Sequence, residues 1–488
     1  MSVKKEMLNG MFWNAVAKYS GIVISIIISA ILARLISPGE FGIIAIATVF
    51  INFISLFTDM GIGPAVIQNN QLNDDDYDNL FTFSLYMGIL LTVLSVLLSP
   101  YFSRLYGNDE LKVIVWILSI SLFFSCLNIL PNSLMNKYKR FRQIAIRSLL
   151  FQISGGIIGV GMAVTGYGVY SLVIPPVIAN VGMFCYNFSY YPRKYVMLPQ
   201  LSSIRKIAYF SVYQFLFTFL NYFSRNTDKL IIGRYMDMKS LGYYEKSYRL
   251  MLLPLENVTS IINPVIVPVL SHLQNQREEV ARKQEKLIQY ISIFSFPIGI
   301  FLHFAALEII GIYYGANWKA AAPIFGILAL SIPLQLILST TGSFYQCIGK
   351  TKHLFYNGIC NTLCTVTGFL LAAKFVGTLE AIAYSWVVTL IINFFVSYTI
   401  MYKLSLKCDI KHLFFSMGKS IMNFVISYVV MYIISRYVYT LTESLWISLL
   451  IKSFTWAVLT LFLIQVTKQY DIKFLFLNSY NRIRRRKQ

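Results

Sequence analysis

The chain has 488 residues, of which 57% are hydrophobic and 13% charged, with a mean hydropathy of +0.62. A composition this apolar over this length excludes a soluble globular fold and leaves a polytopic membrane protein, with room for roughly a dozen to fourteen helices. The formal charge of +21 does not argue for nucleic acid, because Lys and Arg gather in loops on one side of a membrane, where they set orientation.

In chain order, Lys4 and Lys5 precede an apolar run from Phe12 to Ile36. That run is too long for a signal-peptide core and reads as an uncleaved first helix. Helices are predicted near 12–36, 41–60, 79–103, 111–135, 144–166 and 168–191. A basic linker with Arg193, Lys194, Arg205 and Lys206 follows, then helices near 207–233, 241–271, 287–314, 319–342, 353–375 and 379–403, and a last pair near 415–437 and 444–467. The runs are apolar on every face, so the spans are helices and not barrel strands. Breaks are expected in several of them, at Pro175-Pro176, Pro254, Pro264 and Pro268, as in transporter helices that bend.

One stretch occurs twice, 200 positions apart. Leu32-Ala-Arg-Leu-Ile-Ser-Pro-Gly-Glu-Phe-Gly-Ile43 is matched by Ile232-Gly-Arg-Tyr-Met-Asp-Met-Lys-Ser-Leu-Gly-Tyr243. Each copy has a small residue before Arg34 or Arg234, a polar break, and a large apolar residue before Gly42 or Gly242. Two copies in the same register, each between long apolar runs, predict an internally duplicated transporter whose halves move against each other. The expected division is an N-terminal six-helix lobe (1–192), a linker (193–206), a C-terminal six-helix lobe (207–404), and a helix pair with a basic tail (405–488).

With fourteen spans, the loops holding Lys137, Lys139, Arg140 and Arg142, the linker, and those holding Arg277, Arg282 and Lys283 fall on one side with both termini. That side carries about three times as many cations as the other, which places both termini in the cytoplasm. The exception is the loop with Asp74, Asp75, Asp76 and Asp78, where acids precede a helix and favour its positive end. The six cysteines form no CxxC pair, and the four histidines lie far from any acidic partner at ligand spacing. Gly349-Lys350-Thr351 lacks the first glycine of a P-loop, Phe344 standing in its place. No cofactor, metal or enzyme activity is expected, and the outer loops are too short for a catalytic domain.

Charge inside the membrane remains. The seventh span has Asn221, Arg225, Asp228 and Lys229; the eighth has Glu245, Lys246, Arg249 and Glu256; the first has Lys18 and Arg34; the second has Asp59; and the last has Lys452. Such residues are costly in hydrocarbon and face a wet cavity or a partner. Snorkelling from a helix end accounts for Arg34, Arg147, Arg234, Lys374 and Lys419. The cationic excess around Arg225 suits an anionic substrate such as a phosphate or pyrophosphate.

Phe12-Trp-Asn-Ala15, the first repeat copy, Asp59-Met-Gly-Ile-Gly-Pro-Ala-Val-Ile-Gln68, Asn226-Thr-Asp-Lys-Leu-Ile-Ile-Gly-Arg234, Ser247-Tyr-Arg-Leu250 and Gln346-Cys-Ile-Gly-Lys350 resemble the Wzx-type polysaccharide-export flippases of the MATE-like exporter superfamily. Glu40 and Asp59 fall where that family has acidic residues, whereas Pro64 departs from its pattern. The resemblance implies an all-α fold of about fourteen transmembrane helices, with two six-helix lobes related by a pseudo-two-fold axis and a C-terminal helix pair. It implies alternating access and an undecaprenyl-diphosphate-linked oligosaccharide as substrate, moved across the bacterial inner membrane for lipopolysaccharide, capsule or exopolysaccharide assembly. Arg225, Lys229, Lys246, Arg249, Lys18 and Arg34 are the expected cavity residues, with Asp228, Glu256 and Asp59 expected to couple a driving ion. The expected partners are the lipid-linked substrate, membrane lipids and a polysaccharide polymerase, for a protein acting as a monomer. A multidrug antiporter of the same fold would want acids for organic cations. A membrane polymerase or glycosyltransferase would need a large extramembrane loop.

Overall fold

The computed structural model describes residues 3–59, 62–69, 71–197, 219, 222, 225–274 and 276–469. Among these residues the regular structure is entirely helical. The chain divides into two compact units, Met1–Gly242 and Tyr243–Gln488.

The first unit holds α1 (Val3–Leu35), α2 (Pro38–Asp59), α3 (Ile62–Gln68), α4 (Asp74–Tyr106), α5 (Glu110–Lys137), α6 (Phe141–Val164), α7 (Tyr170–Tyr190) and α8 (225–235). The second begins inside α9 (Met238–Leu270). It continues through α10 (Arg277–Phe304), α11 (Ala306–Tyr313), α12 (Ala321–Ala329), α13 (Ile332–Ser339), α14 (Thr341–Cys347), α15 (Thr351–Leu371), α16 (Leu379–Thr399), α17 (Lys411–Leu441) and α18 (Leu445–Val466). Twelve helices among the described residues are long and apolar enough to cross a membrane, thirteen with one bent pair. The expected fourteen are compatible with this, since the span near 207–233 falls largely outside the described residues.

The breaks lie elsewhere than the prolines suggest. α7 and α9 run on as single helices through Pro175, Pro176, Pro254, Pro264 and Pro268, because a membrane helix re-satisfies carbonyls freed by proline through its neighbours. The expected span 287–314 starts ten residues earlier, at Arg277, and is interrupted at Ala305. The expected span 319–342 is a pair of helical segments, Ala321–Ala329 and Ile332–Cys347, bent by 45°. Pro333 in the first turn of α13 cannot continue the helix before it. Gly299 of α10 fits against this bend, where an added Cβ would lie 3.1 Å from the Ala329 carbonyl oxygen.

In the first unit the core is aliphatic and aromatic, built where α3, α4 and α5 meet around Leu80, Leu127, Leu130 and Leu134. Its acidic loop precedes a helix as expected, with Asp74, Asp75 and Asp76 in the first turn of α4. Asn73 and Asp76 form a capping box at the start of α4. Asp74 accepts a 2.9 Å hydrogen bond from Arg193, the Asp78 carboxylate accepts the Lys194 backbone N–H at 3.0 Å, and Thr82 accepts the Val196 N–H at 3.0 Å. The beginning of the basic linker is thereby laid along α4. Arg205 and Lys206 lie outside the described residues.

Candidate translocation surface

The duplicated stretch builds the same corner twice. In the first copy α1 ends, Ser37 stands before α2, and Glu40 reaches back: its carboxylate accepts the Ser37 N–H at 2.9 Å and the Ser37 hydroxyl at 2.7 Å. In the second copy Asp237 stands before α9 and its carboxylate accepts the Ser240 N–H at 2.8 Å. This aqueous-end carboxyl is held below the ordinary aspartate range, first by its hydrogen bonding to Ser240. Ala33 and Gly233, the small residues before the arginines, are buried, as are Phe41 and Leu241 after the caps. Arg34 and Arg234 are exposed, in keeping with snorkelling.

The two corners touch through their glycines. A Cβ on Gly42 would lie 1.7 Å from the Met238 carbonyl oxygen and 3.1 Å from the Gly242 nitrogen. A Cβ on Gly242 would lie 1.8 Å from the Pro38 oxygen and 3.2 Å from the Gly42 nitrogen. The near-identical numbers describe a local two-fold, with backbone against backbone. Only glycine permits this approach.

The expected cavity residues separate into an exposed set and a buried set. On α8, Arg225 is exposed, Lys229 half-buried and Asp228 buried, with the Asp228 carboxylate accepting the Lys229 N–H at 2.8 Å. One turn before Arg225, the Tyr222 hydroxyl donates to the Val49 carbonyl of α2. Phe219 packs on Phe53 at 6.1 Å and on Phe57 at 6.5 Å. These aromatic contacts fix the segment against α2, and Arg225, one turn after Tyr222, is exposed. Asn221 lies outside the described residues, as does the side chain of Asp59, the last residue of α2.

On α9, half-buried Glu245 and exposed Arg249 and Glu256 share one face by their spacing of four and seven. Lys246 does not join them. It is buried, with its ammonium 5.1 Å from the centroid of the Tyr314 ring, which itself lies against Trp318. Lys18 is exposed on α1.

The burial of Arg147 and the partner of Lys452 escaped the sequence reading. Arg147 is not a snorkelling residue. It is buried where α5, α6 and α7 meet and donates to Asn132 at 3.3 Å and to Asn187, whose amide in turn donates to Asn128 at 2.7 Å. Its guanidinium stays inside because three amide side chains line its path. Lys452 of α18 is fully buried on Glu308 of α11, with nitrogen and oxygen 2.5 Å apart. The signal for that pair was a lone acid and a lone base in two otherwise apolar runs. Among the described residues, no group of three or more His, Cys, Asp or Glu side chains could hold a metal.

Comparison with known proteins agrees with this anatomy. The family described as polysaccharide biosynthesis protein matches residues 31–323. The teichuronic acid biosynthesis protein TuaB of Bacillus subtilis is 22% identical over 400 residues, covering 81% of this chain and 82% of that protein. The lipopolysaccharide biosynthesis protein WzxC of Escherichia coli is 21% identical over 415 residues, covering 83% and 82%. Among solved structures, the lipid II flippase MurJ in an inward closed conformation shares the fold. Its TM-score is 0.73 at 18% identity, with 93% of this chain and 98% of that one covered.

Proposed function

Because the chain belongs to the polysaccharide biosynthesis protein family, we propose that it is a flippase for undecaprenyl-diphosphate-linked oligosaccharide repeat units. It carries them across the bacterial cytoplasmic membrane for the assembly of a surface polysaccharide. The relatives named in teichuronic acid and lipopolysaccharide biosynthesis support the substrate class, and the likeness to a lipid II flippase supports the fold that performs the transfer.

The observation that carries the mechanism is that intramembrane helices expose cations: Arg225, Lys18 and Arg34 in the first unit, where Lys229 of α8 is half-buried, and Arg249 in the second. A diphosphate cannot be drawn through hydrocarbon uncompensated. A wet, cationic path lowers that barrier while the polyprenyl tail stays in lipid, provided binding is weak enough to release the cargo on the far side. Lys246, turned into its own unit, assists by holding α9 in position. Asp228, Glu256 and Asp59 moderate the cationic field or carry the coupling ion. Alternating access comes from movement of the lobes 1–192 and 207–404, with the close glycine approach of Gly42 and Gly242 joining the two corners of the repeat. The chain works as a monomer with both termini in the cytoplasm and hands its product to a polysaccharide polymerase.

The test is transfer in proteoliposomes of a fluorescent undecaprenyl-diphosphate oligosaccharide, read by its accessibility to a membrane-impermeant quencher. Transfer at the rate of protein-free vesicles would refute the proposal. Orientation has its own test. A reporter active only outside the cytoplasm is expected to work after Arg104, Lys319 or Arg436 and to be silent after Lys139, Lys283 or the C-terminus. Activity after Lys283 would break the fourteen-span topology.

A further inference from the structure

We propose that Glu308 and Lys452 form a buried latch that fixes the last two helices, α17 and α18, in register on the interrupted span α10–α11, so that these four helices move as one piece. Each residue is the single charge of its helix, and either alone would be costly in an apolar setting. Together they are fully buried, at 0% exposure each.

Lys452 uses all three ammonium hydrogens. They go to Glu308 Oε1 at 2.5 Å, to the Phe304 carbonyl at 2.9 Å and to the Tyr439 hydroxyl at 3.0 Å. Its partners thus come from α11, from the last residue of α10, and from α17. Glu308 Oε1 takes a second hydrogen bond, from Ser448 of α18 at 2.5 Å, while Oε2 is buried without a hydrogen-bond partner. The interruption at Ala305 is what brings the Phe304 carbonyl and the Glu308 carboxylate to the same ammonium.

Outside the latch, one polar contact ties α18 to α10, the Trp456 indole N–H donating to the Pro297 carbonyl at 2.8 Å, and the remaining contacts are apolar. Trp456 packs on Phe301 at 4.9 Å, and Gly311 leaves room for Leu445. Apolar surfaces tolerate sliding. The latch does not: moving α18 by one turn, about 5.4 Å, would strand both charges.

The test needs no transport, so its failure is distinct from failure of the flippase reading. Spin labels are introduced as non-natural amino acids at Phe294 of α10 and Phe454 of α18, both exposed, in the full chain in lipid nanodiscs. The unaltered latch is expected to give one narrow distance, unchanged when lipid-linked oligosaccharide is added. Lys452→Met or Glu308→Gln alone leaves an unpaired buried charge and should lower the amount of protein in the membrane about tenfold or more. The double variant Glu308→Gln/Lys452→Met has no stranded charge. It is expected to recover to within about twofold of the parent amount, with a broadened label distance. Normal amounts of either single variant, a double variant as depleted as the singles, or a narrow distance in the double variant would overturn the latch. A distance in the parent protein that shifts with substrate would show that the four helices do not move together.

Discussion

The helices around Glu308 and the pair α8 and α9 both hold charge within the membrane, and they treat it in opposite ways. Around Glu308 the charges are sealed: every hydrogen of Lys452 is used, and both residues are at 0% exposure. Along α8 and α9 the charges are open, with Arg225, Arg249 and Glu256 exposed on helices whose opposite faces are packed. A side chain with no donor to spare can fasten helices but cannot receive a ligand. An exposed guanidinium can bind a phosphate and still let it go. Presence of charge is therefore a weak guide to function in a membrane protein, and access is the stronger one.

The largest effect separating the two regions should appear in export. Arg225→Ala or Lys229→Ala is expected to abolish surface polysaccharide while leaving protein amount and melting temperature near the parent's. Arg225 is exposed, and exposed substitutions away from packed contacts stay within about 0.5 kcal/mol, whereas half-buried Lys229 should cost somewhat more stability. Arg225→Lys should be intermediate, because it keeps the charge but loses the planar fork. Parental polysaccharide from both alanine variants, at normal protein levels, would make these charges structural and erase the distinction from Lys452.

A smaller effect concerns whether the open region works by moving. An added methyl at Gly42 or Gly242 would sit 1.7 or 1.8 Å from a backbone oxygen, which no side-chain rotation can relieve. Gly42→Ala and Gly242→Ala should each force the two corners apart and slow export about tenfold, by closely similar factors because the two contacts are near two-fold copies. Transfer rates in proteoliposomes would check this. A loss at one glycine with none at the other would mean the duplication is geometric only.

The helical spans were legible because an apolar run must be hydrogen-bonded within itself in lipid, which leaves little besides a helix. The duplication was legible too, down to the glycines, though not the backbone contact they exist for. What escaped was whatever depends on a distant partner. The interruption at Ala305 has no proline to announce it. Glu308 and Lys452 are 144 positions apart. Arg147 looked like a helix-end snorkeller until Asn132 and Asn187 came round it. Lys246 and Arg249, three residues apart on one helix, looked alike in sequence and were separated by which face met Tyr314.

The smallest effect lies where the open region meets water. Asp237 caps α9, the helix that carries Arg249 and Glu256, and its carboxyl is depressed chiefly by its hydrogen bonding to Ser240. A group whose folded pKa is lowered contributes stability above its unfolded pKa and loses it as pH falls through the folded value. The cap should thus be intact at neutral pH and weaken on acidification, below the ordinary aspartate range near 3.9. Asp237→Asn keeps a capping oxygen without the titration. The parent is therefore expected to melt slightly higher than Asp237→Asn near neutral pH, and the two curves should converge in acid. The gap is small, at most about 1 kcal/mol for one exposed cap. A parent and an Asp237→Asn variant that stay parallel through acid would show that the charge on Asp237 adds nothing to the cap beyond its oxygen.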